Sequence, residues 1–478
     1  MSTHDLLFLT ATRAAELIRA RKLSPVEYID AVLSAIELQQ PHLKAFVTVT
    51  ADRARKAARQ AEQAVMNGDN LGPLHGVPVN IKDLFATAGV RTSYGSAVYG
   101  DNVPAHDDIL VRRLTDAGAI VVGKTTTPEF GHKGLTDGPS FGTTRNPWNL
   151  ERTTGGSSGG AAAAVAAGLG PLGLGTDGAG SVRIPAAACG LVGLKPTNGV
   201  VPYEQAVDSF ASYAAAGPLT RTVADAALMM SVLSGPDAID PWSLGAPAFG
   251  ATDTRLIGHD LAGLRAGYIP LMANARMSKD VVRNTNETIA ALEARGLAVE
   301  QVTEPIDWIE EPARNVYMGN IFVGFGPHVA KWGNQMDPVL LDFIEQGSKV
   351  TLSDFRRGQY ARTGLYRAIQ KLFAKYDVLL SPTLTRTAIP AGFSNIRDQI
   401  EIDGIPSGTT RVGWTSYVYP FNLTGHPALT VPSGWGEDGL PTGLQIIGKW
   451  HTDADLLRLA AIVEETRPWA DRRPPSQP

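Results

Sequence analysis

The sequence predicts an α/β fold: a single large domain with a mixed, mostly parallel central sheet covered by helices on both faces. Three observations predict it. Short strand-like segments such as Ala119 to Val122 and Leu191 to Lys195 alternate with helical patterns, which suits a sheet buried on both sides. Hydrophobic residues are 44% and charged residues 19% of 478, enough for a large core and too apolar for gross disorder. The 50 glycines and 32 prolines follow no Gly-x-y period, so they mark tight turns rather than a collagen-like fibre.

The elements follow in chain order. The first ~70 residues read as a helical layer. Ser24, Pro25 and Glu27 occupy the N-cap, first and third positions of a capping box, and Val26, Ile29, Leu33 and Ile36 recur at helical spacing. A stripe of alanines at 54, 57, 58, 61 and 64 suits a closely packed helix that Gly68 ends. Residues 71–250 change to α/β texture. His75 to Lys82 reads as a turn and strand, Asp107 and Asp108 cap a helix through Thr115, and Gly118 stops it before the next strand. Gly160 to Gly168 is a small-residue helix and Pro171 to Thr176 is extended. Thr222 and Asp225 cap a helix to about Leu233. Residues 251–375 hold longer helical patterns, Lys279 to Arg295 and Asp354 to Ala374, and read as a helical insertion that shapes a pocket. Over 376–470 the α/β texture returns, with a closing helix near Asp453 to Glu465; 471–478 reads as a frayed, proline-rich tail.

Composition narrows the function. A net charge of −4 gives no basic surface, so nucleic acid is not an expected partner. Cys189 is the one cysteine, which excludes an intrachain disulfide and any multi-cysteine metal site. The start has the charges of an ordinary helix rather than a signal peptide, and no run of ~20 apolar residues occurs. The expectation is a cytoplasmic protein without membrane contact, metal or cofactor.

Three familiar patterns are rejected on context. Gly118 to Thr125 matches a phosphate-loop expression, but its middle is a strand by composition. Gly173-Leu-Gly175-Thr-Asp-Gly178 matches a dinucleotide fingerprint but lacks the acidic residue about 20 positions on. Gly155-Gly156-Ser157-Ser158-Gly159 fits a nucleophile elbow, yet the preceding Asn149 to Thr154 is too polar for the required strand.

Two Ser/Gly-rich loops remain, Gly155 to Gly160 and Asp177-Gly178-Ala179-Gly180-Ser181. Each alone reads as a tight turn. Together they offer a run of backbone N–H groups that suits an anion or a developing oxyanion, with a serine where a nucleophile is useful. That serine needs a base. No histidine lies in either loop, whereas Lys82 sits in an apolar strand where burial depresses its pKa. The other reading of Lys82 is an ion-paired or snorkelling residue. Asp83 would favour the charged lysine, but strand alternation turns it to the opposite side.

Taken together, these residues resemble the amidase signature family of serine hydrolases. The matching stretches are Gly76 to Asp83, Gly123-Lys124-Thr125, Pro128 to Gly131, Asn146-Pro147-Trp148, Gly155 to Gly160, Ser181 to Ala186 and Gly193 to Thr197. The resemblance implies a triad of Lys82, Ser157 reached through a cis peptide, and the nucleophile Ser181. It implies an oxyanion hole of the N–H groups of Gly178, Ala179, Gly180 and Ser181, and substrate contacts from Gly131, His132 and Ser158. His132 has a second reading as a hydrogen-bonded structural histidine. Two departures from the family pattern, Ala179 for a glycine and Thr154 for a proline, bear on loop fine structure rather than on the reacting groups.

The implied activity is hydrolysis of amide C–N bonds through an acyl-enzyme. Anilides, esters and aryl carbamates are further expected substrates, because nylon-oligomer hydrolase and urethanase-like members share the Asp-Gly-Ala-Gly-Ser loop. The implied partner is a small amide or carbamate, and the implied state is a monomer or homodimer. Two alternatives stand beside this one: a glutaminase subunit of a tRNA-dependent amidotransferase, and a non-catalytic binding protein on the same fold. The apolar stripe Tyr317, Met318, Ile321, Phe322, Phe325, His328, Trp332 and Met336 reads either as core or, in part, as pocket wall.

Overall fold

The computed structural model describes residues 3–249 and 261–475. The 250/251 division and the last three residues of the expected frayed tail lie outside the described residues.

Among the described residues, eleven strands form one central sheet: β1 (Phe46–Val49), β2 (Pro78–Lys82), β3 (Ile120–Thr125), β4 (Leu172–Asp177), β5 (Val192–Lys195), β6 (Ala215–Thr220), β7 (Arg265–Tyr268), β8 (Ala298–Gln301), β9 (Val378–Pro382), β10 (Ala428–Trp435) and β11 (Pro441–Gly448). Their order across the sheet is β1-β3-β2-β4-β6-β5-β10-β11-β9-β7-β8. The sheet is mixed, as expected, but it is not mostly parallel. Only β3-β2, β2-β4, β9-β7 and β7-β8 run parallel; the other six adjacent pairs are antiparallel. The apolar strands β10 and β11 are joined by the short turn at Asp438 and Gly439, which forces an antiparallel pair.

Both faces are covered by packed apolar groups. Along β9, Val378 and Leu380 join the largest core cluster while Leu379 joins a second one. Along β11, Leu444 and Ile446 face the first and Ile447 the second. That division is the period-two alternation of a doubly covered sheet. The first cluster contains the N-terminal helices and the closing helix Asp453–Thr466; the second contains the helix Leu352–Phe373.

Local signals place the helices well. Ser24 caps Pro25–Leu43, its Oγ accepting from the backbone N–H of Val26 and Glu27 at 3.1 and 3.2 Å. The hydroxyl donates to Glu62 rather than closing a box with Glu27. Gly68 ends Ala51–Asn67 at φ +76, and Asp108 and Thr222 cap Ile109–Asp116 and Val223–Leu233. The long helix starts at Leu352, two residues before the expected Asp354, because Thr351 is the cap and accepts from the N–H of Asp354. The rejected phosphate-loop match is a strand: Gly123, Lys124 and Thr125 lie in β3 and pair with β1 and β2.

The stretch expected to be a helical insertion does hold long helices, including Glu310–Phe325 and Leu352–Phe373. It also supplies β7 and β8 to one edge of the sheet. Among the described residues no helix is long and apolar enough to cross a membrane.

Candidate active site

Parallel β2 and β4 are neighbours, paired Val79 with Leu172 through Ile81 with Leu174, so their carboxyl ends open on the same side of the sheet. Lys82 closes β2, and Thr176 and Asp177 close β4. Two short helices start at this edge: α1 (Gly159–Ala166), directly after Ser157 and Ser158, and α2 (Arg183–Cys189), directly after the loop ending in Ser181. Their alanines let the helices pack closely on each other; Ala161, Ala162 and Val165 meet Val182, Ala186 and Cys189 in one apolar cluster. The two serine loops, 24 positions apart in sequence, thereby share one edge.

Lys82 is fully buried. Its Nζ lies 2.7 Å from Ser157 Oγ, 2.9 Å from Ser158 Oγ and 2.8 Å from Thr176 Oγ1. Burial holds its pKa well below the ordinary lysine range, and the Asp177 carboxylate only partly opposes that shift. Asp83 faces away, as alternation requires: its Oδ2 accepts from the N–H and Oγ of Ser93, and its Oδ1 lies 3.4 Å from Lys124 Nζ. The peptide bond between Gly156 and Ser157 is cis. Ser157 and Ser181 line one cavity of about 1390 Å³, together with Thr176, Gly178, Ala179 and Gly131.

The loop before Ser181 is tied down by a buried ion pair. Asp177 and Arg183 are fully buried, and the carboxylate accepts from Arg183 Nη2 at 2.9 Å and Nε at 3.0 Å. Burial alone would raise the Asp177 pKa; the Arg183 charge and the hydrogen bonds from Arg183 and Asn422 outweigh it and hold the carboxyl below the usual carboxylate range. Arg183 also donates to Val418 O, Gln445 Oε1 and Asn422 Oδ1.

This network corrects one expectation. Gly180 N–H donates to Asp177 Oδ1 at 2.7 Å, so it is not free to hold an oxyanion. Among the described residues, the N–H groups of Gly178, Ala179 and Ser181 have no protein acceptor. Gly180 matters instead for its backbone. Its φ is +106, and a Cβ there would stand 2.2 Å from Val418 Cγ2. Ala179 is not left-handed, which explains why a methyl is accepted at that position. Thr154, the other departure, donates from Oγ1 to Gly155 O at 3.0 Å.

The three expected substrate contacts separate. Gly131 lines the cavity at φ +69, and a Cβ on it would lie 3.2 Å from Ser157 Oγ. His132 borders the cavity, but its Nδ1 donates to Glu129 O at 2.7 Å and its Nε2 is 3.9 Å from Asp337 Oδ1, too far for a hydrogen bond. Burial pushes its pKa down to about 4. The Nδ1 contact is the one the structural reading requires, while among the described residues the Nε2 is left without a protein partner. Ser158 is fully buried and absent from the cavity wall, so the expected substrate contact is corrected to a contact with Lys82. The reason is that α1 begins at Gly159 and turns Ser158 back toward β4.

The sequence reading missed Thr176, whose hydroxyl completes the surroundings of Lys82; the threonine beside Asp177 carried no motif signal. It also left the cavity wall open. Tyr317, Met318, Ile321, Phe325 and His328 line the cavity, whereas Trp332 and Met336 pack into an apolar cluster behind it. Phe325 stacks on Phe130 with ring centroids 4.3 Å apart. Tyr213, Arg411 and Tyr419 add wall from distant segments.

A buried lysine in hydrogen-bond contact with two serines, beside a loop of open backbone donors, has the groups that serine hydrolysis requires. The chain belongs to the Amidase family, whose sequence profile matches residues 27–457. It is 37% identical over 481 residues to an acylamidase of Rhodococcus erythropolis, covering 99% of this chain and 98% of that one. It is 34% identical over 501 residues to a glutamyl-tRNA(Gln) amidotransferase subunit of Moorella thermoacetica, covering 98% and 99%. Among solved structures it resembles a bacterial aryl acylamidase of the amidase signature enzymes, with TM-score 0.89, 29% identity and 97% of each chain covered. Fold, site and relatives together make it an acylamidase-like hydrolase of the amidase signature family.

Proposed function

We propose that the protein hydrolyses linear amides with apolar or aromatic groups, and also anilides, esters and aryl carbamates, through a Ser181 acyl-enzyme. The observation that carries this reading is Lys82, buried, depressed in pKa and 2.7 Å from Ser157 Oγ. Neutral Lys82 accepts the proton of Ser157, and Ser157 accepts the proton of Ser181 as Ser181 Oγ bonds to the substrate carbonyl carbon. The N–H groups of Gly178, Ala179 and Ser181 hold the oxyanion. The relay returns a proton to the leaving nitrogen as the C–N bond breaks. Water then attacks the acyl carbon, the same groups take its proton, and they pass it to Ser181 Oγ as the acyl C–O bond breaks and the acid leaves. With a carbamate, the released carbamic acid loses carbon dioxide afterwards. The aromatic and apolar side chains of the cavity wall support an apolar acyl or amine group.

The test is a panel of chromogenic amides, nitroanilides and aryl carbamates of varied size, assayed with the purified chain and with Ser181→Ala. We expect turnover by the first and none by the second. A Ser181→Ala rate above about a tenth of wild type, ~1.4 kcal/mol of barrier, would sink the assignment. The 34% identity to an amidotransferase component favours a second reading, a glutaminase that works only within a complex. Turnover of nitroanilides by the isolated chain excludes that reading.

A further inference from the structure

The cavity wall carries charges that the proposed reaction does not use. Most of them are already offset. Lys133 pairs with Asp137 and Asp337, and Arg314 and Asp342 bond to the same Gln346 amide. Asp208 is exposed, so water screens its charge, and its Oδ1 accepts from the N–H groups of Phe210 and Ala211. Arg362, Arg411 and Glu310 remain. Arg362 donates to Leu423 O, Ala211 O and Ser212 O, and among the described residues it has no carboxylate partner. Two cations and one carboxylate leave this part of the wall with one positive charge over.

Arg411 has donors to spare. Its Nε lies 2.8 Å from Glu310 Oε1 at an angle that forms no hydrogen bond, and among the described residues its terminal amino groups have no acceptor. A guanidinium carries five N–H donors in a fork that matches a planar carboxylate. The place of Arg411 suits a substrate group. It stands on the short helix Thr410–Gly413, with its guanidinium carbon 4.6 Å from the centre of the Tyr419 ring. The Tyr419 hydroxyl donates to Trp308 O, which fixes that ring. Tyr419 belongs to the apolar cluster on which Ala179 packs, and its neighbour Val418 stands against Gly180. Tyr419 therefore links Arg411 to the loop before Ser181.

We infer that Arg411 binds a carboxylate carried by the substrate, so that the preferred class is an aromatic amide with one carboxylate across the ring from the scissile bond. The inference deepens the proposed function and rests on it. The apolar wall takes the ring, and Arg411 takes the charged end through two parallel hydrogen bonds. The one surplus positive charge shared by Arg362 and Arg411 matches one carboxylate. A neutral anilide makes the apolar contacts but leaves the donors of Arg411 unfilled.

The carboxylate can stand on either side of the scissile bond, so the experiment uses two pairs of probes. One pair is 4-acetamidobenzoate and acetanilide; the other is terephthalic acid monoanilide and benzanilide. Binding is measured by titration calorimetry at pH 7 on Ser181→Ala, and on Ser181→Ala combined with Arg411→Gln or with Arg411→Lys. Thermal melting checks folding. We expect at least one acid to bind Ser181→Ala about tenfold or more tighter than its neutral partner, and Arg411→Gln to reduce that ratio to within about threefold. Arg411→Lys keeps the charge but loses the planar fork, so it should weaken the acid about threefold or more and leave the neutral probe unchanged. Acids that bind no better than their neutral partners, or a preference that survives Arg411→Gln, overturn the carboxylate site. If Arg411→Gln does not fold, Arg411→Lys decides alone. Turnover of any probe by Ser181→Ala instead overturns the underlying triad, so the two failures are distinct.

Discussion

In the proposed mechanism, the chemistry of this site turns on the protonation of one amine. Lys82 has no exposure to water, and its charged form is disfavoured by burial more than it is favoured by Asp177. Since the relay needs the neutral amine, kcat must rise with pH as Lys82 loses its proton. Because the pKa is depressed, the rise falls well below the pH at which an ordinary lysine titrates, about 10.4. A pH–rate profile checks this; a rise found only near that ordinary value would contradict the burial argument. At Gly180 the expected outcome is steric. Gly180→Ala forces a methyl against Val418 and a positive φ on an alanine, so it should lower both activity and thermal midpoint, with a loss of about 1–3 kcal/mol. Ala179→Gly, at a position that is not left-handed, should change stability by less than about 1 kcal/mol. Lys82, Ser157 and Ser181 were legible as candidates because their loops repeat a family pattern. That Gly180 N–H is spent on Asp177, and that Ser158 faces inward, was not legible. Both depend on which way a side chain or an amide points, and residue order does not fix that.

At the scale of elements, the loop before Ser181 is held between a strand end and a helix start by one buried ion pair. Asp177 closes β4 and accepts from the backbone N–H of Gly180 and Val182 as well as from Arg183 in α2. Removing one partner of a buried pair leaves the other charge uncompensated. Asp177→Leu should therefore destabilise the fold by about 3–5 kcal/mol, measured by urea unfolding, and should release the Gly180 amide. A variant with wild-type stability would show that the loop is held by other means. Caps at Ser24, Asp108 and Thr222 were readable because capping is local to four residues. Strands β7 and β8 were not, since each is only four residues long and β8 is the edge strand. β8 is mostly exposed and carries no apolar alternation.

For the whole molecule, the cavity is the feature that joins distant parts of the chain. Ser181 comes from the middle, Phe325 from the helix Glu310–Phe325, and Arg411 and Tyr419 from the return to the sheet. Phe325 is stacked on Phe130, one residue before Gly131. Phe325→Ala should raise KM for bulky aryl amides about tenfold while leaving a small acetamide nearly unchanged, since the lost apolar wall serves only the larger group. Equal effects on both substrates would place Phe325 outside the specificity wall. Residue order alone carries the α/β class, the helix caps and the family, because these follow from short-range patterns and from motifs that keep their spacing. The antiparallel majority of the sheet, the three donors left open around Ser181 and the choice of side chains along the cavity emerge only in the packed chain. These are set by contacts between segments far apart in sequence, where packing and hydrogen-bond direction rather than chain order choose the partner.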